Sequence, residues 1–440
     1  MATPASKKPL PHLRATDLRG VAQLATQATQ GVARMAEGVH QSVWGTLGVG
    51  NMTSGQTGGI TGLVYQSVRG VTQLVAQGLD SALSKLEPFL EPAADTGSNT
   101  PTSSPEREAV LAALNGVLGD HLAATGNPLA TQMTLRLAGQ ALDWQAMPAK
   151  GTVTGKVLLV VHGLCMNDLQ WRTVTAPPRS AQPASSTGSS TGSQAAVPDL
   201  VVNHGATLAT ALGYTPVYVR YNTGLHTSQN GHALSQQLEQ LAAHWPQTIT
   251  EITVLVHSMG GLVTRSAVHN AQQHKAGWLG HLKNIIFLGT PHHGAPLEKA
   301  GNWVDIILGS TPYSKPFAKL GQLRSSGITD LRYGHVLDED WQGQDRFRRT
   351  PDSRTPVPLP EGVACYTIAA TIAAQRSPLA QRVVGDGLVP LSSALGQHAD
   401  AARSLQFAKA SQRIVYRTHH MQLLSSPEVT QQLVQWLLPA

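Results

Sequence analysis

The reading of this 440-residue chain turns on one stretch, Leu255-Val256-His257-Ser258-Met259-Gly260-Gly261, which continues the apolar run Ile252-Thr253-Val254. Aliphatic and β-branched residues end at a histidine, a serine follows, and a pair of glycines opens a segment with helical spacing. This is the setting in which a serine sits on a tight turn between a strand and a helix, a nucleophile elbow. Such a turn needs small neighbours, because backbone passes close to backbone. It also leaves the Met259 N–H at a helix start, where it can face charge developing on an oxygen. The usual pattern has glycine two residues before the serine; this chain has Val256 there.

Around that stretch the chain alternates between short apolar strands and helices. Strands are expected over Lys156–Val161, Pro216–Tyr221, Ile252–Val256, Asn284–Leu288, Val363–Ala369 and Arg413–Tyr416. Helical spacing separates them, as in Leu234, Leu238 and Leu241. Continuous apolar strands alternating with helices predict an α/β fold with a mostly parallel sheet covered on both faces. The longest gap, over residues 295–362, carries Trp303, Ile306, Ile307, Leu308, Tyr313 and Phe317 and is expected to form a cap or lid.

The domain plan has residues 1–91 as a helical N-terminal extension, 92–104 as a linker and 105–440 as the α/β domain. A Ser/Thr/Gly-rich insertion over 176–197 is expected to be disordered. In the extension, Leu18, Val21, Ala25, Ala28, Val32, Met35 and Val39 form one apolar stripe, and Val68, Val71, Val75, Leu79, Ala82 and Leu86 form another. The stripes are Ala/Val/Leu, and the opposite faces are mostly Gln, Thr and Ser. Membrane-surface helices carry Trp or Phe and many Lys/Arg. Residues 1–91 therefore favour packing within the protein or on another protein, with peripheral membrane contact as the alternative. The oligomeric state is left open.

Composition excludes several classes. Hydrophobic residues make up 41% of the chain and charged residues 13%, with a net charge of +6. No Lys/Arg-dense run accompanies that charge, so nucleic acid is not an expected partner. The cysteines, Cys165 and Cys365, are too few for a disulfide scaffold. Pro9 and Pro11 fall where a secretory signal would need an apolar stretch. The longest aliphatic run, Val157 to Val161, is too short to span a bilayer. The expectation is a soluble, cytoplasmic protein.

A serine nucleophile needs a base, and the base needs an orienting carboxylate. In this fold the chain order is serine, acid, histidine. Asp386 lies in Val384-Gly385-Asp386-Gly387-Leu388-Val389-Pro390, shortly after a strand. His419 and His420 follow the last strand and precede a helix starting Ser426-Pro427-Glu428; spacing alone does not choose between them. His257, His292 and His293 come before the acid, so they are expected to support the site or line its pocket.

With these pieces in order, the region from Lys156 onward resembles bacterial α/β-hydrolases of the lipase/esterase group, including the lipase-like, GPI-inositol-deacylase-like branch. The resemblance rests on His162-Gly163-Leu164, His257-Ser258-Met259-Gly260-Gly261, Gly289-Thr290-Pro291-His292-His293-Gly294, Asp386-Gly387-Leu388-Val389-Pro390 and His420-Met421-Gln422-Leu423-Leu424-Ser425. It implies an α/β-hydrolase fold and carboxylic-ester hydrolysis, with Ser258 as nucleophile, His420 as base and Asp386 as its orienter. The oxyanion donors would be the backbone N–H groups of Leu164 and Met259, with His162 structural. No organic cofactor or metal is implied. The substrate would be a small-molecule ester or lipid, and the apolar cap suggests a lipid-like acyl group. Two other readings share the motifs: an acyltransferase on the same residues, and a non-catalytic binding or assembly protein that kept the fold.

Overall fold

The computed structural model describes residues 16–27, 105–149, 151–172, 202–295, 325–344, 352–374 and 385–438. The expected linker (92–104), the insertion (176–197), the second N-terminal stripe (68–86) and the aromatic part of the 295–362 segment lie outside these residues. No helix among the described residues is long and apolar enough to cross a membrane.

The strands are β1 (Thr134–Leu137), β2 (Gln140–Ala141), β3 (Lys156–Val161), β4 (Thr215–Arg220), β5 (Glu251–His257), β6 (Leu282–Leu288), β7 (Ala364–Thr371) and β8 (Gln412–Tyr416). They form one sheet in the order β2-β1-β4-β3-β5-β6-β7-β8. From β4 to β8 neighbouring strands are parallel, and β1 adds antiparallel to β4. The chain runs from β3 to β4 on one side, then returns past β3 to β5 on the other. That reversal opens a crevice at the carboxyl ends of β3 and β5, where parallel sheets place their ligands.

Side-chain alternation supplies two core layers. Val157, Leu159, Val161, Val254, Val256 and Phe287 face one side. There they meet Leu234, Leu238 and Leu241 of α4 (Thr227–His244) and Val263, Ala267 and Ala271 of α5 (Met259–His274). Leu158, Val160, Leu255, Ile286, Ile368 and Val415 face the other side. They pack on Leu208 of α3 (His204–Leu212) and Val429, Leu433 and Leu437 of α8 (Pro427–Leu437). With both faces covered, each central strand reads as a continuous apolar run. Val256 belongs to this packing: it pairs with Val161 and Phe287 and is fully buried. Its side chain goes into the helix-covered layer, so the turn two residues later forms without glycine at that position.

The chain divides into two compact units, residues 1–111 with 121–130, and residues 112–120 with 131–440. In the first, α1 (16–27) pairs Asp17 with Arg107 of α2 (Pro105–Ala124) at 2.6 Å, and Gly20 O accepts from Asn127 Nδ2 at 3.0 Å. The expected stripe on α1 faces outward: Leu18 is 46% and Val21 58% exposed, whereas Asp17 and Gly20 are buried. The ion pair and the bare glycine, against which Leu129 packs, select the face.

In the second unit, one buried charge cluster fixes the segment leaving β3. Asp168, in the 3-10 turn Asp168–Arg172, is fully buried and lies 2.6 Å from Arg220 Nε and 3.4 Å from Arg136 Nε. A buried carboxylate that loses its partner is left uncompensated, which costs several kcal/mol. Replacing Arg220 with methionine (Arg220→Met) is expected to lower unfolding stability by about 3 kcal/mol. Urea denaturation checks this; a loss below about 1 kcal/mol, the size of an exposed pair, would refute it.

Candidate functional site

The motifs singled out in the sequence gather at the carboxyl ends of β3, β5, β6, β7 and β8. At the end of β5, Ser258 has φ 54° and ψ −125°, a left-handed backbone that residues with a Cβ rarely adopt. Its N–H donates to Leu288 O of β6 at 2.9 Å. The turn closes onto α5 because nothing projects from the glycines. A Cβ on Gly260 would lie 2.7 Å from His162 O, and one on Gly261 would collide with the Thr290 side chain. Met259 is the first residue of α5, so its N–H has no carbonyl acceptor inside the helix.

The loop after β3 lies directly against this turn. A Cβ on Gly163 would sit 3.0 Å from Ser258 Cβ and 3.1 Å from His257 Nδ1. Leu164, the next residue, is buried, and Cys165 turns the chain at φ 57° while donating its N–H to Thr223 Oγ1 at 3.1 Å. Burial pushes the Cys165 thiol up to about 12, so it stays protonated. His162 donates Nδ1–H to Gly163 O at 2.9 Å and stacks on Tyr221, whose hydroxyl donates to His162 O at 2.8 Å. Burial holds His162 down at about 4, so it stays neutral.

Asp386 and His420 come together at 2.6 Å, Oδ2 to Nδ1. A carboxylate oxygen only accepts, so Nδ1 carries the hydrogen and Nε2 of the neutral ring keeps a lone pair. His420 N–H also donates to Asp386 O at 3.1 Å. The other carboxylate oxygen accepts from Leu388 N at 3.0 Å and Val389 N at 2.8 Å. Both side chains are buried. A Cβ on Gly289, at φ 57°, would lie 3.2 Å from both Asp386 Oδ2 and His420 Cε1, so only glycine fits there. His419 is exposed, and its N–H instead donates to Gln422 Oε1 at 2.7 Å, as in a cap.

His257 connects the two halves. Its ring lies 4.5 Å from that of His420, and its Nε2–H donates to His420 O at 3.2 Å. Burial, then the neighbouring His420, drive it well below the ordinary imidazole range. Behind them His204 donates Nε2–H to Leu423 O and accepts from Thr430 Oγ1, both at 2.8 Å. His292 and His293 point away from this cluster, into a separate cavity with Arg265. Leu164, Met259, Leu388 and Val389 form one apolar cluster beside the site.

Residues 152–352 match the family model described as the PGAP1-like alpha/beta domain. Over that stretch the chain is similar to the PGAP1-like α/β domain. The match includes Leu164, Ser258 and Met259; Asp386 and His420 lie beyond it. No curated protein matches the chain. Among solved structures it is similar to Bacillus licheniformis lipase BlEst2 in mature form, at 18% identity, 67% of this chain, 96% of that one and TM-score 0.39. Aspergillus fumigatus lipase B gives 12%, 81%, 66% and 0.37. The phospholipase PlaB from Legionella pneumophila gives 13%, 54%, 45% and 0.32.

His204 and the Asp168–Arg220 pair escape sequence reading, because their partners lie 219 and 52 residues away. The buried imidazoles of this domain make its stability depend on pH. His162 and His204 both sit at about 4 in the fold, against 6.5 when exposed, because burial opposes their charging. Between pH 6.5 and 4 the unfolded chain binds protons that the fold does not. The stabilisation is therefore full above 6.5 and lost as pH falls through that window, by about 1.4 kcal/mol per pH unit for each group. Urea unfolding from pH 7 to 4 should show this slope, and His204→Gln should flatten it. An unchanged slope in that variant would count against His204 as a source.

Proposed function

We propose that the PGAP1-like domain is a serine hydrolase of carboxylic esters, acting through Ser258, His420 and Asp386. The observation that carries this reading is the strained Ser258 turn at the crevice shared with the Asp386–His420 pair. In this scheme His420 Nε2 takes the Ser258 hydroxyl proton as Oγ attacks the ester carbonyl carbon. Negative charge moves to the carbonyl oxygen, which accepts from the N–H groups of Leu164 and Met259. The tetrahedral intermediate collapses: the C–O bond to the alcohol breaks, and His420 returns the proton to the leaving oxygen. Water, deprotonated by His420, then attacks the acyl-enzyme, and the released Ser258 oxygen regains the proton. Asp386 holds the ring in the tautomer that leaves Nε2 basic. The reaction needs no organic cofactor.

For the substrate we favour an ester with an apolar acyl chain. Leu164, Met259, Leu388 and Val389 supply an apolar surround at the oxyanion loop and the acid loop, and the 295–362 segment adds aromatic and aliphatic residues in sequence.

The test is hydrolysis of p-nitrophenyl esters from acetate to palmitate, with fluorophosphonate labelling alongside. Ser258→Ala should lose labelling and about 10⁶-fold in kcat. Asp386→Asn should lose about 10⁴-fold, since it holds the wrong tautomer. Turnover peaking beyond butyrate supports the apolar acyl reading, and turnover of acetate alone sinks it. A wild-type chain that neither labels nor hydrolyses any of the esters overturns the catalytic assignment.

A further inference from the structure

Seven residues beyond Ser258, on the same helix, a guanidinium is buried without a carboxylate to match it. Arg265 is 6% exposed. One terminal nitrogen donates to Val357 O at 2.6 Å and the other makes a 3.5 Å contact with His292 O. Its Nε–H has no partner among the described residues. His292 is 1% exposed, and neither of its ring nitrogens has a partner among the described residues. Burial and the charge of Arg265 keep that ring well below the ordinary imidazole range. A neutral ring carries one N–H and one lone pair, so a donor and an acceptor both stand unmet.

Arg265 and His292 line one cavity, with Arg354 and Arg403 on its wall and Asp340 as the carboxylate among the lining residues. Asp340 is already engaged: its oxygens accept from Val336 N, Leu337 N and Thr355 N at 2.8, 2.9 and 3.1 Å. Arg354 and Arg403 lie 2.7 and 3.3 Å from Asp352. The hydrogen bonds of Arg265 itself go to neutral carbonyls, and the charge of Asp340 reaches it less strongly than that of Arg354. Water would meet the hydrogen bonds but leave the positive charges of Arg265 and Arg354 facing one another with Asp340 only partly offsetting them.

We propose that this cavity is a binding site for a phosphate-type oxyanion, held by Arg265 Nε–H and a ring N–H of His292. The anion comes either as free phosphate or as the phosphoryl group of a substrate headgroup. Arg265 lies roughly 10 Å along the helix axis from Ser258. That spacing suits either source.

The experiment is thermal unfolding of the full chain in inorganic phosphate against chloride at matched ionic strength, with ³¹P line broadening measured on the same samples. Phosphate should raise Tm saturably, by about 5 °C at one hundred times Kd, and Arg265→Met should abolish the rise. Where Arg265→Met does not fold, loss of the broadening in His292→Phe carries the same weight. Equal Tm in phosphate and chloride, or a phosphate-specific rise that survives in the variant, overturns the site and leaves a cavity for water. A second arm separates the two sources and is the only part that rests on the hydrolase reading. Phosphate that competes with turnover of a phospholipid but not of p-nitrophenyl butyrate assigns the headgroup. Phosphate that raises Tm and competes with neither assigns the free anion. Absence of all turnover would sink the hydrolase reading and leave the Tm result standing.

Discussion

A serine backbone at φ 54° and ψ −125° is a conformation that costs an L-residue about 1–3 kcal/mol, and it persists only where the surroundings over-determine it. Here they do. β5 is held on both sides by β3 and β6, α5 is packed into the sheet, and the Ser258 N–H is bound to β6. Any side chain at 163, 260 or 261 would meet the neighbouring loop. The strain at one residue therefore dictates the bareness of three others. The result is a serine held at the carboxyl end of β5, with the Gly163 loop packed against its Cβ.

The second organising feature is a set of neutral, buried imidazoles. His162, His204 and His257 each donate a ring N–H to a backbone carbonyl, at Gly163, Leu423 and His420 respectively. In a dry interior such a donor fixes a carbonyl more firmly than an exposed one would, and the ring stays uncharged because charging it there is costly. Two of those carbonyls belong to the segment that carries His420, and the third to the loop that carries Leu164. Elements that approach from different strands are thus brought into one register.

Much of this was legible in the sequence. The parallel strands follow from apolar runs, with ends that differ by two residues at most, and the motifs around Ser258, Asp386 and His420 follow from their order along the chain. β1 and β2 were missed, being four and two residues long, too short for a period of two to register. Residues 419 and 420 are adjacent and of one type, so only packing tells them apart: one is buried on a carboxylate and the other caps a turn. That the α1 stripe faces outward was not legible, because periodicity finds an apolar face but not a buried ion pair. For the same reason the Arg265 cavity has no sequence signature; its walls come from five separated segments.

The tie between His204 and α8 has a bearing on how the molecule is made. Asp386 cannot meet its histidine until β8 has joined β7, and His204 cannot fill its bonds until residues 423 and 430 have left the ribosome. A growing chain can lay down β3 to β6 and the elbow early, while the partner of its acid is still untranslated. Ester chemistry, on the reading given above, then waits for residue 420 to emerge, so that a polypeptide released before it carries the serine without the means to activate it.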